Sequence, residues 1–312
     1  MRRMRKGIIA LVLLALVALL FMACNTGEPV GVPAGSVLTY DREGFPVTLP
    51  EQREAIISIG PSNTEILVAL GFGEAIVQAD MFSADVDGIR SGISTLDMFG
   101  LDLEYIISLA PDVVFITGMT RTPGAEDPLH AVSSAGISVI YMPISASIAE
   151  IQEDIRFIAA VLGVEDRGEA IAADMMREIE TILALGETIT ERRSVYFEIS
   201  PPPHMVSFGT GTFLHEMIEI IGAVNVFADQ AGWFPVSGET LVEANPDVIL
   251  TSVDFLEDPV GDIMNRPGWT TITAVHNGEV FRIDANTSSR PSHNIVAALW
   301  EMARAVYPDV FR

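Results

Sequence analysis

The sequence predicts an α/β fold with two Rossmann-like lobes, each built on a mostly parallel sheet, joined by one long α-helix. Three observations predict it. Short apolar runs alternate with amphipathic helical segments in both halves, which is typical of βαβ units. A long helical pattern at 166–185 separates the halves. The halves also share phrases in the same order.

The first 24 residues predict an export signal. Four basic residues among the first six precede an apolar run at 8–21, too short for a membrane span of about 20 residues. Cys24, the only cysteine, follows Ala23 at the end of this segment, as in bacterial lipoprotein signals whose cysteine is lipidated. Leu20 lies four positions before it rather than the usual three, so a plain signal peptide or an uncleaved anchor stays open.

These features predict an exported protein, lipid-anchored to the outer face of the cytoplasmic membrane or periplasmic. The predicted organisation is a signal at 1–24, a Gly- and Pro-rich flexible tether at 25–36, a first lobe at 37–163, a connecting helix at 164–190 and a second lobe at 191–312. A length of 312 residues fits two domains. The formal net charge of −24 argues against a nucleic-acid partner.

The first lobe is predicted from a hairpin around residues 42–44 and from four buried-strand runs, "AIISIG", "AIVQAD", "DVVFIT" and "SVIYMP". In "PSNTEILVALG", Ser62 and Glu65 have the spacing of a capping box, and Gly71 ends the helix. Ser147 begins a second strong helix that Gly163 ends. We therefore expect helices to alternate with the strands along this lobe.

The helix predicted at 166–185 has an apolar stripe of Ile171, Met175, Ile179 and Ile182. A helix of that size is about 30 Å long and can bridge two lobes while resisting a large hinge motion. After it, "SVYFEI", "VNVFAD", "DVILTS" and "EVFRID" predict the strands of the second lobe, with helices between them and a last helix at 295–306.

Two pairs of phrases repeat between the lobes. Glu104 precedes Pro111 by seven positions, and Glu239 precedes Pro246 by seven. Likewise "TEILVALG" at 64–71 matches "HEMIEIIG" at 215–222. A helix followed by Pro-Asp and a strand is common, but two matched pairs in one order indicate that the lobes are similar to each other.

Asp102 and Ser237 are predicted N-caps, which puts Glu104 and Glu239 in the first turns of equivalent helices. The helix macrodipole favours such acids by about 0.3–1 kcal/mol, which is enough to explain them. First-turn side chains also point outward. A partner with two-fold symmetry and paired arginines could therefore bind both carboxylates.

The lipoprotein signal, the two lobes, the connecting helix and the motifs "PSNTEILVALG", "LDLEYIISLAPDVV" and "VSGETLVEANPDVI" together resemble the substrate-binding proteins of ABC importers for vitamin B12, haem and iron–siderophores. The resemblance covers about residues 37–312. It implies that Glu104 and Glu239 dock onto arginines of an ABC permease dimer with its ATPase. It also implies a monomeric, non-enzymatic binding protein that holds a small molecule between its lobes.

Ligands of open parallel sheets bind beyond the carboxyl ends of the strands. The loops expected there are rich in apolar side chains and poor in basic ones, which favours a large, near-neutral macrocycle such as a corrinoid over a tri-anionic ferric catecholate. A Pro-Pro loop with His204, and Trp233 further on, are similar to the B12-binding branch. The predicted ligand-binding residues are Met81, Phe82, Met98, Phe99, Met119, His204, Met205, Phe208, Trp233, Phe234 and Arg290.

Alternatives stay open at this stage. Haem, with Tyr141 or His204 as a ligand, or an iron–siderophore could replace the corrinoid. Many relatives have Arg-Pro-Gly-Pro-Arg before the last helix, whereas here Asn294 replaces the second arginine and His293 precedes it. The histidines lack close ligand spacing, so no metal site and no cofactor are predicted. Catalytic motifs are lacking, which leaves a chelatase-like enzyme or a surface sensor less favoured.

Overall fold

The computed structural model describes residues 40–49, 51–121 and 126–312. The predicted signal, the lipidated Cys24 and the tether lie outside these ranges. None of the helices within them is both long and apolar enough to cross a bilayer.

The first lobe is built on a five-stranded parallel sheet in the order β3-β2-β1-β4-β5. Its central strand β1 is buried at every position, as expected of a strand covered on both faces. The strands are β1 (Ile56–Ile59), β2 (Ile76–Asp80), β3 (Thr95–Leu96), β4 (Val113–Thr117) and β5 (Ser138–Met142).

The helices of this lobe are α1 (Pro61–Ala69), α2 (Leu103–Ser108), α3 (His130–Ser134) and α4 (Ile148–Leu162), with 3₁₀ turns at Gly73–Ala75, Met81–Ser83 and Gly118–Thr120. Ser147 caps α4 by accepting from the amide of Glu150, as predicted. The capping box predicted at Ser62 is wrong. α1 begins at Pro61, before Ser62, and its N-cap Gly60 has no side chain that could cap it. Glu65 instead accepts hydrogen bonds from the second lobe.

The predicted hairpin is confirmed as an antiparallel bridge between Tyr40 and Pro46. Arg42 at its turn forms ion pairs with Glu153 and Asp154 of α4. These pairs hold the hairpin against the first lobe.

The long helix is confirmed as α5 (Glu165–Gly186), whose 22 residues span about 33 Å. Met175, Ile179 and Ile182 of the predicted stripe are buried in it. They belong to one hydrophobic cluster that contains Ile56 of the first sheet and Val195 of the second. Because both sheets share this cluster, bending α5 would unpack each of them.

The second lobe has a four-stranded parallel sheet in the order β11-β10-β6-β8. A two-stranded antiparallel sheet pairs β7 with β9; the sequence did not predict it because its strands lie far apart in the chain. The strands are β6 (Ser194–Glu198), β7 (Val206–Phe208), β8 (Val224–Asn225), β9 (Trp233–Pro235), β10 (Val248–Thr251) and β11 (Val280–Arg282).

The remaining helices are α6 (Phe213–Ile220), α7 (Gly238–Ala244), α8 (Pro259–Met264), α9 (Thr273–Asn277), α10 (Ala285–Ser289) and α11 (Ile295–Val306), with a 3₁₀ turn at Trp269–Thr271. The last helix has the predicted bounds.

The internal similarity of the lobes is confirmed. The order β2-β1-β4-β5 corresponds to β8-β6-β10-β11. Asp112 accepts from the amides of residues 54 and 55 just before β1, and Asp247 accepts from the amide of Ser194 at the start of β6. Ala110 and Asn245, each before the proline, both have φ of 45°. The repeated phrase thus turns the chain out of a helix and fixes the start of a central strand.

Candidate ligand cleft

The ligand surface is predicted beyond the carboxyl ends of the two parallel sheets. All strands of a parallel sheet end at one edge, so the loops that follow them gather there. Loops from these edges contact each other across the lobes: Arg290, beyond β11, contacts Glu65 after β1 and Asp85 after β2. Loops from these edges of the two lobes therefore meet at Arg290, and the position of the ligand site stays a prediction.

Large apolar side chains on these loops are exposed on both lobes. Phe99 of the first lobe is 69% exposed and Trp233 of the second is 50% exposed. A concentration of exposed large apolar side chains on such loops is typical of a binding surface. The predicted residues that are exposed in this way are Met81, Phe82, Phe99, Met119 and Trp233, and Ile144 and Phe255 join them.

Ile144 is an addition to the predicted set. It lies two residues after β5, so its position beyond a strand end was the signal that could have identified it. Phe255 lies beyond β10 in the same way. The sequence does not show whether such side chains are exposed, and the structure shows that both are.

Two edge-to-face aromatic pairs contribute to this exposed apolar surface. Phe82 and Phe99 meet edge to face, with ring centroids 6.4 Å apart. Trp233 stands edge to face on Phe208 at 5.5 Å, and these two residues are register partners in the β7–β9 pair. The first pair belongs to the first lobe and the second pair to the second lobe, so each lobe presents an aromatic group of its own.

Three predicted lining residues are not available to a ligand. Phe208 is 0% exposed because it packs beneath Trp233 and against Phe197, so a lining role is wrong for it. Met98 and Met205 are also buried and belong to the cores of their lobes. Phe234 is half-buried and packs against Phe227 at 5.4 Å. These residues support the exposed groups rather than forming the surface.

Arg290 also differs from the prediction. Its guanidinium was expected to face the ligand, but the residue is 8% exposed. It forms ion pairs with Glu65 at 3.2 Å and Asp85 at 2.7 Å, and it donates to the carbonyl of Phe82 at 3.0 Å. The expected ligand contact is wrong for this conformation, because the donors are engaged by the opposite lobe.

Glu65 is the buried centre of this cross-lobe cluster. Besides Arg290, the hydroxyl of Ser292 and the amide of Asn294 donate to its carboxylate, the latter at 2.9 Å. Asn294, which replaces an arginine of the related motif, thus has a structural partner. Asp85 is more exposed. Its partial burial favours a higher pKa, but the hydrogen bond from Arg290 acts in the opposite direction, and the net effect is a lowered pKa of Asp85.

Arg121, just after the 3₁₀ turn that follows β4, is also paired with a carboxylate. Arg121 forms an ion pair with Glu43 at 2.9 Å, and its guanidinium stacks 3.6 Å from the centroid of the Phe45 ring. Arg290 and Arg121 are therefore both matched by carboxylates. An anionic ligand would have to compete with these carboxylates for either guanidinium.

The histidines and Tyr141 are the side chains that could ligate iron if the ligand were haem. His204 is exposed on the loop before β7. Burial lowers the pKa of His293, which favours its neutral form, and its Nδ1 is buried without a hydrogen-bond partner among the described residues. Tyr141 is buried and donates to Asp127, and burial raises the pKa of its hydroxyl. Within residues 40–49, 51–121 and 126–312, no cluster of three His, Cys, Asp or Glu side chains could hold a metal ion.

Glu104 and Glu239 lie in equivalent helix starts, and both are exposed. The predicted caps are confirmed, since Asp102 accepts from the amide of Tyr105 and Ser237 accepts from that of Thr240. Hydrogen bonding at the start of the helix lowers the pKa of Glu239, which keeps it ionised. α2 and α7 end just before β4 and β10, so both begin toward the carboxyl edges of their sheets.

Comparisons with known proteins agree on one class of protein. The model of a family described as periplasmic binding protein matches residues 56–287. An uncharacterized ABC transporter substrate-binding lipoprotein of Bacillus subtilis, YvrC, is 31% identical over 99% of both chains. A vitamin B12-binding protein of Vibrio parahaemolyticus is 26% identical over 81% of this chain and 89% of its own. The periplasmic haem-binding protein RhuT of Roseiflexus has a solved structure that is 27% identical, with a TM-score of 0.72 over 84% of this chain and 100% of its own.

Proposed function

Since this chain belongs to the periplasmic binding protein family and is a substrate-binding protein of an ABC transporter of the B12, haem or iron type, we propose that it binds a corrinoid between its lobes. The function of the family is transport rather than catalysis, and such proteins work with permease and ATPase components. The similarity to a lipoprotein implies an extracytoplasmic location.

The choice of a corrinoid rests on one observation. Exposed aromatic and methionine side chains lie on both lobes, while Arg290 and Arg121 are paired with carboxylates. Such a surface gains free energy by covering apolar area, at about 25 cal/mol per Å² before the costs of association. It provides little to compensate buried negative charge. A corrin ring with neutral amide side chains suits it better than a polyanionic ferric complex.

A titration tests this assignment. Trp233 is the tryptophan at the cleft; Trp269 is buried, and Trp300 packs on α11 against Phe311. We expect cyanocobalamin to quench tryptophan fluorescence, and the quenching to disappear in Trp233→Phe but not in Trp300→Phe. Haemin and a ferric catecholate should bind at least about tenfold more weakly than cyanocobalamin. Tighter binding of haemin than of cyanocobalamin would contradict the corrinoid assignment.

Haem is the second candidate, because His204 is an exposed imidazole on a loop of the cleft. Tyr141 supports it poorly, since its hydroxyl is buried and engaged with Asp127. If haem is the cargo, haemin should give a shifted Soret band that His204→Ala abolishes. A haemin spectrum that does not depend on His204 would remove this imidazole as the iron ligand.

The proposed function also includes delivery of the ligand to a membrane permease. Glu104 and Glu239 would dock onto basic residues of a two-fold symmetric permease, supported by their exposure and their equivalent places in the repeat. A lipid on Cys24 would keep the monomeric protein near that permease. Mass spectrometry of the protein purified from membranes tests the lipid directly, because a diacylated cysteine adds a mass that Cys24→Ser must lack.

A further inference from the structure

We propose that Arg290 is a positioning residue, which shapes the cleft by holding the turn at 81–85 of the first lobe against the second lobe. It would act through the backbone of this turn and through Asp85, without contacting the ligand. The inference rests on the proposed function only in assuming that the ligand uses the surface formed by Met81 and Phe82.

The hydrogen bonds of the Arg290 side chain run to the first lobe. They join residues separated by 225, 208 and 205 positions, namely Glu65, the carbonyl of Phe82 and Asp85. The carbonyl of Phe82 belongs to the residue whose ring is exposed at the cleft. Fixing this carbonyl therefore fixes the part of the backbone that displays the ring.

A second contact reinforces the same turn. The side-chain amide of Asn286 in α10 donates to Asp85 at 2.6 Å. Two side chains of the second lobe, Asn286 and Arg290, therefore bind opposite oxygens of one carboxylate. The planar guanidinium also joins Asp85 to Glu65 with fixed geometry, which a flexible ammonium would not reproduce.

The burial of this cluster determines how strongly it acts. Arg290 and Glu65 are both buried, and Glu65 is further satisfied by Ser292 and Asn294. Removing the guanidinium would leave a buried carboxylate with less compensation, so the lobes would be expected to separate locally and hydrate it. The turn at 81–85 lies at the edge of this region and would lose two of its anchors.

Arg266 provides a matched control. Its guanidinium also pairs with two carboxylates, Glu198 and Asp262, and it is also buried. All three of these residues belong to the second lobe. Replacing Arg266 should therefore destabilise one lobe without releasing the turn of the other.

Hydrogen–deuterium exchange on the ligand-free protein tests the positioning role. The amides of Phe82 and Val86 are hydrogen-bonded within the turn, to Asp80 and to the carbonyl of Ser83. In Arg290→Gln, exchange across 81–86 should be at least about tenfold faster than in the wild type, while β6 and β10 keep their protection. Arg266→Gln should leave exchange at 81–86 unchanged.

Two further measurements complete the test. Asp85→Asn leaves the pair of Glu65 and Arg290 intact, so this variant should stay folded even if Arg290→Gln does not. Exchange at 81–86 should also be faster in Asp85→Asn than in the wild type. Cyanocobalamin should bind Arg290→Gln about tenfold more weakly than the wild type, with Arg290→Lys in between. Unchanged exchange at 81–86 in the folded variants would overturn the positioning role. Faster exchange together with no binding of any probe by the wild type would support it and refute the proposed function alone.

Discussion

Glu65 in α1 and Glu216 in α6 occupy equivalent positions in the two lobes, and each accepts hydrogen bonds near the start of the last helix of the opposite lobe. Glu65 binds Ser292 and Asn294 just before α11, and Glu216 binds the amide of Ile148 at the first residue of α4, at 2.8 Å. A carboxylate near a helix N-terminus is favoured by the macrodipole. The repeat that makes the lobes similar therefore also joins them reciprocally.

The two glutamates should differ in how much they stabilise the protein. Glu65→Gln leaves Arg290 with one carboxylate fewer in a buried site, so the free energy of unfolding should fall by about 3–5 kcal/mol. Glu216→Gln keeps an oxygen that can accept from Ile148, and should lose only about 0.5–1.5 kcal/mol. Urea unfolding of both variants measures the difference. Equal losses would contradict the assignment of Glu65 as the more heavily engaged acid.

The docking role predicts a separation of transport from binding. Glu104→Arg combined with Glu239→Arg should abolish ligand uptake by the transporter reconstituted in vesicles, because the charges would repel a basic docking surface. Ligand affinity should stay within about threefold, which is about 0.65 kcal/mol. The charge-matched control is Glu180→Arg with Glu187→Arg, two exposed acids in and just after α5. Loss of affinity in the first variant, or loss of uptake in the control, would argue against specific docking.

The repeated turn predicts a stabilising substitution. Ala110 has φ of 45°, a conformation that costs an L-residue about 1 kcal/mol or more, whereas asparagine adopts it readily. Ala110→Asn copies the residue at the equivalent Asn245 and should raise the free energy of unfolding by about 0.5–1 kcal/mol. Differential scanning calorimetry would detect the higher midpoint.

The reverse exchange is the control for this turn. Asn245→Ala should destabilise the protein, because it introduces the strain and also removes the oxygen that accepts from the amide of Thr273 at 2.8 Å. A neutral or destabilising Ala110→Asn would show that the backbone at 110 relaxes without help from the side chain.

The buried Asp154 predicts a pH dependence of stability. Burial raises its pKa to about 6, although Arg42 and Ser145 act in the opposite direction. This pKa lies above the pKa of Asp154 in the unfolded chain, so the folded protein binds the proton more tightly. The stabilisation from this proton is complete below the unfolded pKa and is lost as the pH rises through about 6. Asp154→Asn removes this titration.

The free energy of unfolding of the wild type, taken relative to that of Asp154→Asn, should therefore fall by about 1–3 kcal/mol between pH 4 and pH 7. Guanidinium unfolding at several pH values measures this difference directly, and other carboxylates cancel in the comparison. A difference between the two proteins that does not change with pH would show that Asp154 is ionised throughout this range.

The elements of the fold could be predicted from the sequence because their signals are local. Asp102, Ser147 and Ser237 cap their helices as expected, since a cap depends on residues three positions apart. The apolar stripe that includes Met175 predicted α5 because its period is fixed by the helix itself. The Ser62 capping box failed because the helix begins earlier, at Pro61, while Glu65 pairs with the distant Arg290.

The sequence by itself determined the two similar lobes, the helix that joins them and the loops in which a ligand surface would lie. Only the tertiary structure decided which side chains of those loops are exposed. Trp233 covers Phe208 because two strands 25 positions apart pair in one register, and Arg290 faces the other lobe because Glu65 and Asp85 lie there. Local periodicity contains no information on such contacts, since their free energy arises only when distant segments meet.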